Sequence, residues 1–288
     1  MAVIMKGAPV ANAISEALAA RTETLMARGI EPCLAILRVG ARGDDLAYER
    51  GALRRCEKVG VRTKQILLPA DCAEEDVIAE IEKINRDDSV HGCLMFRPLP
   101  KRMNEHRVSE TLLPVKDVDS MTSASLHTMF TGRGDGYPPC TARSCIELLD
   151  HYGYEITGKR VVVIGRSLVI GRPVAMMLQS RDGTVTICHR KTVDLPAICR
   201  EAEILVSAAG EPGLVDLRYT NPEQIIIDVG INALPDGSLC GDVRFDEVAP
   251  RVKAISPVPS GVGSVTTAVL CKHVIEAAER LTAEKAAF

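Results

Sequence analysis

The sequence contains no tryptophan, and it has only five tyrosines and four phenylalanines among 288 residues. Its 35 lysines and arginines are slightly outnumbered by 38 aspartates and glutamates, so the net charge is −3. Proteins that bind nucleic acids usually combine a basic surface with aromatic side chains that stack on bases. We therefore expect no nucleic-acid partner.

Long hydrophobic runs are also missing. The longest apolar stretches, such as VVVIG at 161–165, are far shorter than the roughly 20 residues that a helix needs to cross a bilayer. The first 18 residues contain one early lysine and pass into a helical pattern with an acidic residue, which is not typical of a signal peptide. These features predict a cytoplasmic protein that does not bind membranes.

Cysteine is plentiful, but the spacings that would give it a special role are absent. The ten cysteines are scattered, without a CxxC pair or a Cys/His cluster at zinc-binding spacing. We interpret them as reduced packing residues of a cytoplasmic chain, and we expect no metal site.

Short apolar runs alternate with helical patterns in both halves of the chain. The first half contains CLAILRVG, TKQILLPA and GCLMFRPLP, with helical patterns between them, and this alternation predicts βαβ units. The turn-rich stretch TGRGDGYPPCTA could connect two domains. The second half contains RVVVIG, TVTICH, AEILVSAAG and QIIIDVGIN, which have the continuous β-branched character of buried parallel strands. The predicted fold class is α/β, with a doubly wound sheet in the second half.

A glycine-containing loop follows the first strand of this second half. Gly165 ends the strand and Gly171 begins the next helix, with Ser167 between them in a G-x-S-x-x-x-G arrangement. A Rossmann loop uses its first glycine for a tight turn and its last for close helix packing, and phosphates bind at the helix N-terminus. The position of this loop inside a βαβ unit predicts dinucleotide binding, although the spacing is one residue longer than G-x-G-x-x-G.

The next strand ends without the acidic residue that NAD-binding proteins use to bind the ribose. It ends in His189, Arg190 and Lys191. Arg190 and Arg166 could hold a 2′-phosphate through charge-assisted hydrogen bonds, which favours NADP over NAD. The alternative interpretation, that these are solvated loop charges, remains open, above all for His189.

One tyrosine lies in a helical pattern of the first half. In AYERGALRRCEKVG (47–60), Tyr48 and Ala52 lie one turn apart on the same face of a predicted helix. A tyrosine at such spacing is usually a core or surface residue.

Five groups of residues together resemble the methylenetetrahydrofolate dehydrogenase/cyclohydrolase family. They are KDVDS (116–120), PPCTA (138–142), GRSLVIGRP (165–173), DVGIN with GDV (228–232 and 241–243), and PVPSGVGSVT (257–266). Their order and spacing span nearly the whole chain. The resemblance implies an oxidoreductase of one-carbon metabolism with a tetrahydrofolate substrate and NADP as cofactor.

The resemblance also implies a domain organisation. It assigns residues 1–137 to a folate-binding domain, to which a C-terminal helix within 265–288 returns, and residues 138–264 to a Rossmann-like NADP domain. A folate cleft between the domains and a homodimer are further implications.

The family's site residues transfer to this chain where its motifs match. Tyr48 is implied to pack on the folate or hydrogen-bond to it, and Asp119 to anchor the pterin ring by accepting its N–H groups; these two are the predicted catalytic residues. The predicted substrate site further contains Phe96, Pro98, Leu99, Gly261 and Gly263. The predicted cofactor site contains Thr141, Gly165, Arg166, Ser167, Gly171, His189, Arg190 and Ile231.

The chain departs from the family at several of these motifs. Bifunctional members carry Tyr-x-x-x-Lys and V-Q-L-P-L-P, but Ala52 stands at the lysine position and Phe96 at the glutamine position. Ser260 and Ser264 replace a glycine and a proline of P-G-G-V-G-P, and Ala142 ends the PCTA motif. A serine at position 260 is a problem for activity if only glycine fits there.

These departures affect the two reactions differently. Hydride transfer needs positioning but no general base, whereas hydrolysis of the methenyl product needs an acid/base group that neither Ala52 nor Phe96 supplies. We interpret the protein as a dehydrogenase that has lost its cyclohydrolase activity. Two alternatives stay open: a bifunctional enzyme with a rearranged site, in which Arg54, Arg55 or Arg97 would have to stand in although guanidinium is a poor base, and a non-catalytic NADP- or folate-binding relative.

Overall fold

A computed structural model of the protein describes residues 2–286, with side chains through residue 283. Within this part of the chain, no helix combines the length and the apolar composition that crossing a membrane requires.

Helices and strands alternate along most of the chain. The helices are α1 (Gly7–Met26), α2 (Gly43–Lys58), α3 (Glu74–Arg86), α4 (Glu105–Glu110), α5 (Ser123–Thr131), α6 (Cys140–His151), α7 (Gly171–Gln179), α8 (Leu195–Arg200), α9 (Phe245–Val248) and α10 (Thr266–Ala286). The strands are β1 (Val3–Ile4), β2 (Cys33–Val39), β3 (Arg62–Leu68), β4 (Gly92–Met95), β5 (Arg160–Ile164), β6 (Thr184–Cys188), β7 (Ile204–Ser207), β8 (Ile225–Asp228), β9 (Asn232–Ala233), β10 (Leu239–Cys240) and β11 (Ala254–Ile255). Short 3₁₀ turns cover Pro114–Lys116, Leu217–Tyr219, Ala249–Arg251 and Val262–Ser264.

The chain packs as two compact units. The first, which we call the six-strand unit, contains the residues up to 11 and residues 141–266. The second, the three-strand unit, contains residues 12–140 and the chain from residue 267 onward.

The six-strand unit is built on a parallel sheet with the strand order β1-β11-β8-β7-β5-β6. The strand order reverses at β5, which has β6 on one side and β7 on the other, and this is the doubly wound arrangement predicted from the alternating pattern. Ligands of such sheets bind outside the carboxyl ends of the strands, where the order reverses. The predicted α/β class is confirmed.

One strand of this sheet differs from the prediction. TVTICH was expected to form a buried strand, but β6 is the edge of the sheet, and Thr184, Thr186 and Ile187 are exposed. An edge strand has a neighbour on one side only, so β-branched composition alone does not ensure burial.

The N-terminus also differs from the predicted domain boundary. Residues 1–137 were assigned to one domain, but β1 pairs in parallel with β11, with Val3 opposite Ala254 and Ile4 opposite Ile255. The first residues therefore belong to the six-strand unit. A two-residue strand carries too little periodic signal to be recognised in sequence.

The three-strand unit contains a parallel sheet with the order β3-β2-β4, in which β2 is central and almost entirely buried. Helix α2 begins four residues earlier than the predicted helix at 47–60. Asp44 and Asp45 occupy its first turn and Lys58 its last, an arrangement that complements the helix dipole. One face of α2 is buried at a helical spacing of three to four residues.

Candidate functional site

A cavity of about 690 Å³ opens at the carboxyl ends of β5, β6 and β7 in the six-strand unit. Five of the predicted cofactor residues line it: Gly165, Arg166, Ser167, His189 and Arg190. The structure therefore brings two sequence-distant loops, the one after β5 and the one after β6, to one place. Because these strands flank the reversal of strand order, the cavity lies where doubly wound sheets bind their ligands.

Both glycines of the loop after β5 are required by close contacts. Gly165 has a φ of 134°, and a Cβ there would overlap the carbonyl oxygen of Ala208. A Cβ on Gly171 would overlap the backbone of Gly165 and Arg166. Gly171 does not line the cavity; its role in the structure is to let α7 approach the loop.

Ser167 fills the place of the middle glycine and has a structural task there. Its hydroxyl accepts hydrogen bonds from the backbone N–H groups of Ile170 at 3.1 Å and Gly171 at 3.4 Å. These groups precede or begin α7, so the hydroxyl stabilises the turn into the helix. Ser167 also lines the cavity, so the loop that leads into α7 borders it, and the dipole of α7 favours an anion near the helix N-terminus.

The cavity wall carries three cationic side chains: Arg166, Arg190 and Lys191. None of them forms an ion pair with an acid in the part of the chain that the structure describes. Lys191 is not among the predicted site residues. Its position directly after His189 and Arg190 is the sequence signal that could have identified it. Unpaired cations around a cavity of this size suit a ligand with several phosphate groups.

The loop after β7 forms the remaining wall, and sequence reasoning did not select it. It comprises Ala208–Pro212, and the carboxylate of Asp242 holds it in place. Asp242 accepts hydrogen bonds from the backbone N–H groups of Ala209 (2.7 Å), Gly210 (3.2 Å) and Glu211 (2.9 Å). In the sequence, Asp242 is recognisable only as part of the family motif GDV (241–243), which does not reveal its contact with this loop.

A second, smaller cavity of about 210 Å³ lies at the carboxyl ends of β8 and β11 in the same unit. It brings together Ile231, predicted for the cofactor, with Gly261 and Gly263, predicted for the substrate. Ser260 and Ser264 also line it. Ser260 has a φ of 82°, so the serine occupies a backbone conformation that favours glycine.

One of the residues that line this second cavity is a buried acid. Asp228 ends β8 and is 2% exposed, and its carboxylate accepts N–H groups from Gly230, Asp242 and Val243. Burial outweighs these hydrogen bonds and raises the pKa of Asp228 to about 7.

In the three-strand unit, Tyr48 of α2 and Phe96 after β4 form an aromatic pair. Their ring centroids are 6.0 Å apart with an interplanar angle of 82°, an edge-to-face contact. The structure thus places together the tyrosine and the residue at the family's glutamine position. Ala52, one turn from Tyr48, is completely buried and contributes only a methyl group.

Two ion pairs hold α2 against its surroundings. Arg38 of β2 pairs with Glu49 of α2 at 2.8 Å, and both are buried. Arg42 pairs with Asp45 at 2.9 Å, and it donates to the carbonyl oxygen of Arg97 at 3.3 Å. The loop that carries Phe96 is therefore tied to the start of α2.

Asp119 lies in the same unit and accepts the backbone N–H of Cys140 at 2.8 Å. Burial raises the pKa of Asp119, while the Cys140 hydrogen bond and the Arg97 guanidinium act in the opposite direction. Arg97 is thus close enough to Asp119 to influence its charge, a relation that the sequence did not reveal.

Three further predicted residues line neither cavity. Leu99 is 7% exposed and packs in the core of the three-strand unit. Pro98 is exposed, and its carbonyl oxygen accepts from Arg42 at 3.4 Å. Thr141, near the start of α6, lines neither cavity.

Fold and site together define a two-unit α/β protein with a dinucleotide-type cavity on a doubly wound sheet. The model of the tetrahydrofolate dehydrogenase/cyclohydrolase catalytic domain matches residues 5–119, and the model of the NAD(P)-binding domain of the same family matches residues 139–282. The chain belongs to the tetrahydrofolate dehydrogenase/cyclohydrolase family, as the sequence motifs predicted.

Individual relatives agree with this assignment. The bifunctional protein FolD of Carboxydothermus hydrogenoformans is 50% identical over 284 residues, which cover 98% of this chain and 99% of the relative. The crystal structure of bifunctional FolD from Campylobacter jejuni superposes with a TM-score of 0.94 at 34% identity, covering 97% of this chain and 99% of that one. The Trypanosoma brucei enzyme, solved with NADP cofactor and an inhibitor, gives a TM-score of 0.91 at 35% identity, covering 97% and 98%.

Proposed function

We propose that this protein is an NADP-dependent methylenetetrahydrofolate dehydrogenase whose cyclohydrolase activity is lost or greatly weakened. The observation that carries the dehydrogenase part is the cavity with three unpaired cationic side chains, in a chain of this family. The substitution of the lysine and glutamine positions by Ala52 and Phe96 carries the second part.

The cavity residues fit a phosphorylated dinucleotide. Gly165 lines the cavity without a side chain, Gly171 lets α7 approach the loop closely, and the N-terminus of α7 favours a pyrophosphate. Arg190, with Arg166 or Lys191, holds the 2′-phosphate that distinguishes NADP from NAD. When bound, NADP⁺ supplies the hydride acceptor.

The three-strand unit provides residues for the folate. Asp119 anchors the pterin by accepting its N–H groups, and Tyr48 packs on the folate or hydrogen-bonds to it. Oxidation of the methylene bridge removes a hydride and leaves a methenyl cation without a proton transfer, so no general base is needed. Positioning by these side chains is sufficient for this step.

For hydrolysis of the methenyl product, the side chains at positions 52 and 96 near Tyr48 cannot act as the required acid or base. Water must add to the methenyl carbon and a proton must move to a ring nitrogen, which requires an acid/base group within hydrogen-bond reach. Ala52 is a buried methyl group, and Phe96 meets Tyr48 edge to face. Of the arginines that could stand in, Arg55 donates to Ser15 at 2.9 Å, and every guanidinium remains protonated and is a poor base.

The decisive experiment mixes purified protein, methylenetetrahydrofolate and NADP⁺, with NAD⁺ as the comparison cofactor, and follows NADPH and the methenyl product separately. We expect NADPH to form while the methenyl product accumulates and decays no faster than in buffer. Faster decay would favour a bifunctional enzyme with a rearranged site. Binding of NADP⁺ and folate without NADPH formation would favour a non-catalytic relative.

A homodimer and a cytoplasmic location remain proposals from the family resemblance and the sequence composition. Light scattering coupled to gel filtration tests the first, and fractionation of the source cells tests the second.

A further inference from the structure

Ser260 adopts a backbone conformation that a serine rarely occupies. Its φ is 82°, in the left-handed region that is unfavourable for residues other than glycine. Aspartate and asparagine tolerate this region better, because their side chains bond to nearby backbone groups. The sequence motif places serine here where the family motif has glycine.

The surrounding backbone holds this conformation in place. The carbonyl oxygen of Ser260 accepts the N–H of Gly7 at 2.8 Å. Gly7 itself is packed so closely that a Cβ would overlap the carbonyl oxygen of Gly261. The loop therefore does not relax around the serine, and the strain persists.

The side chain of Ser260 is available to a ligand. The residue is exposed and lines the smaller cavity, and its hydroxyl makes no hydrogen bond to any residue that the structure describes. Apolar side chains form much of the same wall, among them Val229, Ile231 and Val262. Pockets for small molecules typically combine apolar walls with a few polar groups that orient the ligand.

The strand order indicates which part of a dinucleotide this cavity would receive. The larger, cationic cavity lies at β5, β6 and β7, where the phosphates and the adenosine half bind in a doubly wound sheet. The smaller cavity lies at β8 and β11, on the other side of the reversal of strand order. This is the side of the second mononucleotide, which carries the nicotinamide.

We propose that the Ser260 hydroxyl is a specificity contact for the carboxamide of the nicotinamide ring of NADP. This inference rests on the proposed NADP site. A carboxamide offers both a donor and an acceptor, and a hydroxyl can pair with either. The contact gives the strained serine a role that glycine cannot fill.

The test measures binding by calorimetry for the full-length protein and two variants, Ser260→Ala and Ser260→Gly. The ligands are NADP⁺, adenosine 2′,5′-bisphosphate, and an NADP⁺ analogue whose pyridinium ring carries no carboxamide. Both variants should bind NADP⁺ about threefold to tenfold more weakly than wild type, the range of one neutral hydrogen bond. Binding of the other two ligands should not change.

Thermal unfolding supplies the folding control. Ser260→Gly removes the unfavourable φ and should raise the melting temperature by about 2–4 °C, whereas Ser260→Ala should not raise it. We therefore expect the Ser260→Gly variant to bind NADP⁺ more weakly than wild type and to unfold at a higher temperature.

Three results would overturn the proposal: unchanged NADP⁺ binding in both variants, an equal loss for adenosine 2′,5′-bisphosphate, or an equal loss for the analogue without a carboxamide. Failure of the proposed NADP site is distinguishable, because wild-type protein would then not bind NADP⁺ at all. If the protein binds NADP⁺ without turnover, the dehydrogenase proposal fails but this binding test still applies.

Discussion

At the scale of single residues, chemistry in this protein depends on which functional group a side chain lacks as much as on which it has. Ala52 contributes no amine to the face of α2 that carries Tyr48, and Phe96 contributes no amide beside it. Arg190 instead presents a charge in a cavity and forms no ion pair with an acid among the described residues. Each of these positions can be tested by one substitution with a matched control.

The cofactor preference depends on Arg190. Replacing it with aspartate puts a like charge near the 2′-phosphate, so Arg190→Asp should weaken NADP⁺ binding about tenfold to a hundredfold and leave NAD⁺ binding nearly unchanged. The measurement is titration of both cofactors. Arg251→Asp is the control, since Arg251 is an exposed cation of the same unit outside the lining of both cavities. Unchanged NADP⁺ affinity in Arg190→Asp would contradict the assignment.

Under the proposed loss of cyclohydrolase activity, lysine at position 52 and glutamine at position 96 should introduce hydrolysis. The double variant Ala52→Lys with Phe96→Gln should consume methenyl product at least tenfold faster than wild type, because general acid–base catalysis contributes about 10²–10⁴-fold. Decay of the methenyl absorbance measures it. Ala52→Met with Phe96→Gln has similar bulk without the amine and should not gain the activity.

The melting temperatures of both double variants should also be measured, to show that the variants are folded. Ala52 is completely buried and shares its helix face with Glu49, so a long side chain has to find space there. A folded lysine variant without hydrolysis would contradict the proposed role of position 52.

At the scale of elements, the carboxyl ends of the parallel strands position the site. Loops after β5, β6 and β7 form one cavity, and those after β8 and β11 form the other. Buried acids hold these loops by accepting backbone N–H groups: Asp242 orders the loop after β7, and Asp228 orders the turn at the end of β8. The site walls therefore depend on acids that do not themselves need to touch a ligand.

The acid at the end of β8 should titrate near neutral pH. Its folded pKa of about 7 lies above the ordinary value of 3.8, so the folded state holds a proton that the unfolded state releases earlier. Its contribution to stability is complete below about pH 4 and is lost as pH rises toward 7. Carboxyl ¹³C NMR, assigned with Asp228→Asn, should show this titration; a midpoint near 4 would contradict it.

At the scale of the whole molecule, two compact units carry different parts of the proposed chemistry. The six-strand unit contains both cavities, and the three-strand unit contains Tyr48, Phe96 and Asp119. The six-strand unit is itself discontinuous, because β1 at the N-terminus completes a sheet whose other strands follow residue 141.

Cofactor binding should stabilise the folded chain. NADP⁺ at about one hundred times its dissociation constant adds about 2.7 kcal/mol, which raises the melting temperature by several degrees. The same concentration of NAD⁺ should have a much smaller effect. Hydrogen exchange should locate the NADP⁺ protection in the loops 165–171, 189–191 and 208–212; protection confined to the three-strand unit would contradict the proposed site.

The sequence by itself determined the fold class, the family and the loop after β5. Continuous β-branched runs and a glycine pattern at a strand end are local signals, because strand propensity and tight turns depend on neighbouring residues. The proposed losses at positions 52 and 96 rest on sequence alone, since a difference from a family motif needs no geometry to be recognised.

Only the tertiary structure decided what depends on residues far apart in the chain. It placed β1 in the six-strand unit, moved β6 to an exposed edge, and brought Asp242 to the loop at 208–212. It also showed that Ser260 keeps a left-handed φ and that Arg97 lies near enough to Asp119 to influence its pKa. Strand order, charge proximity and backbone conformation result from packing between distant segments, which no local pattern encodes.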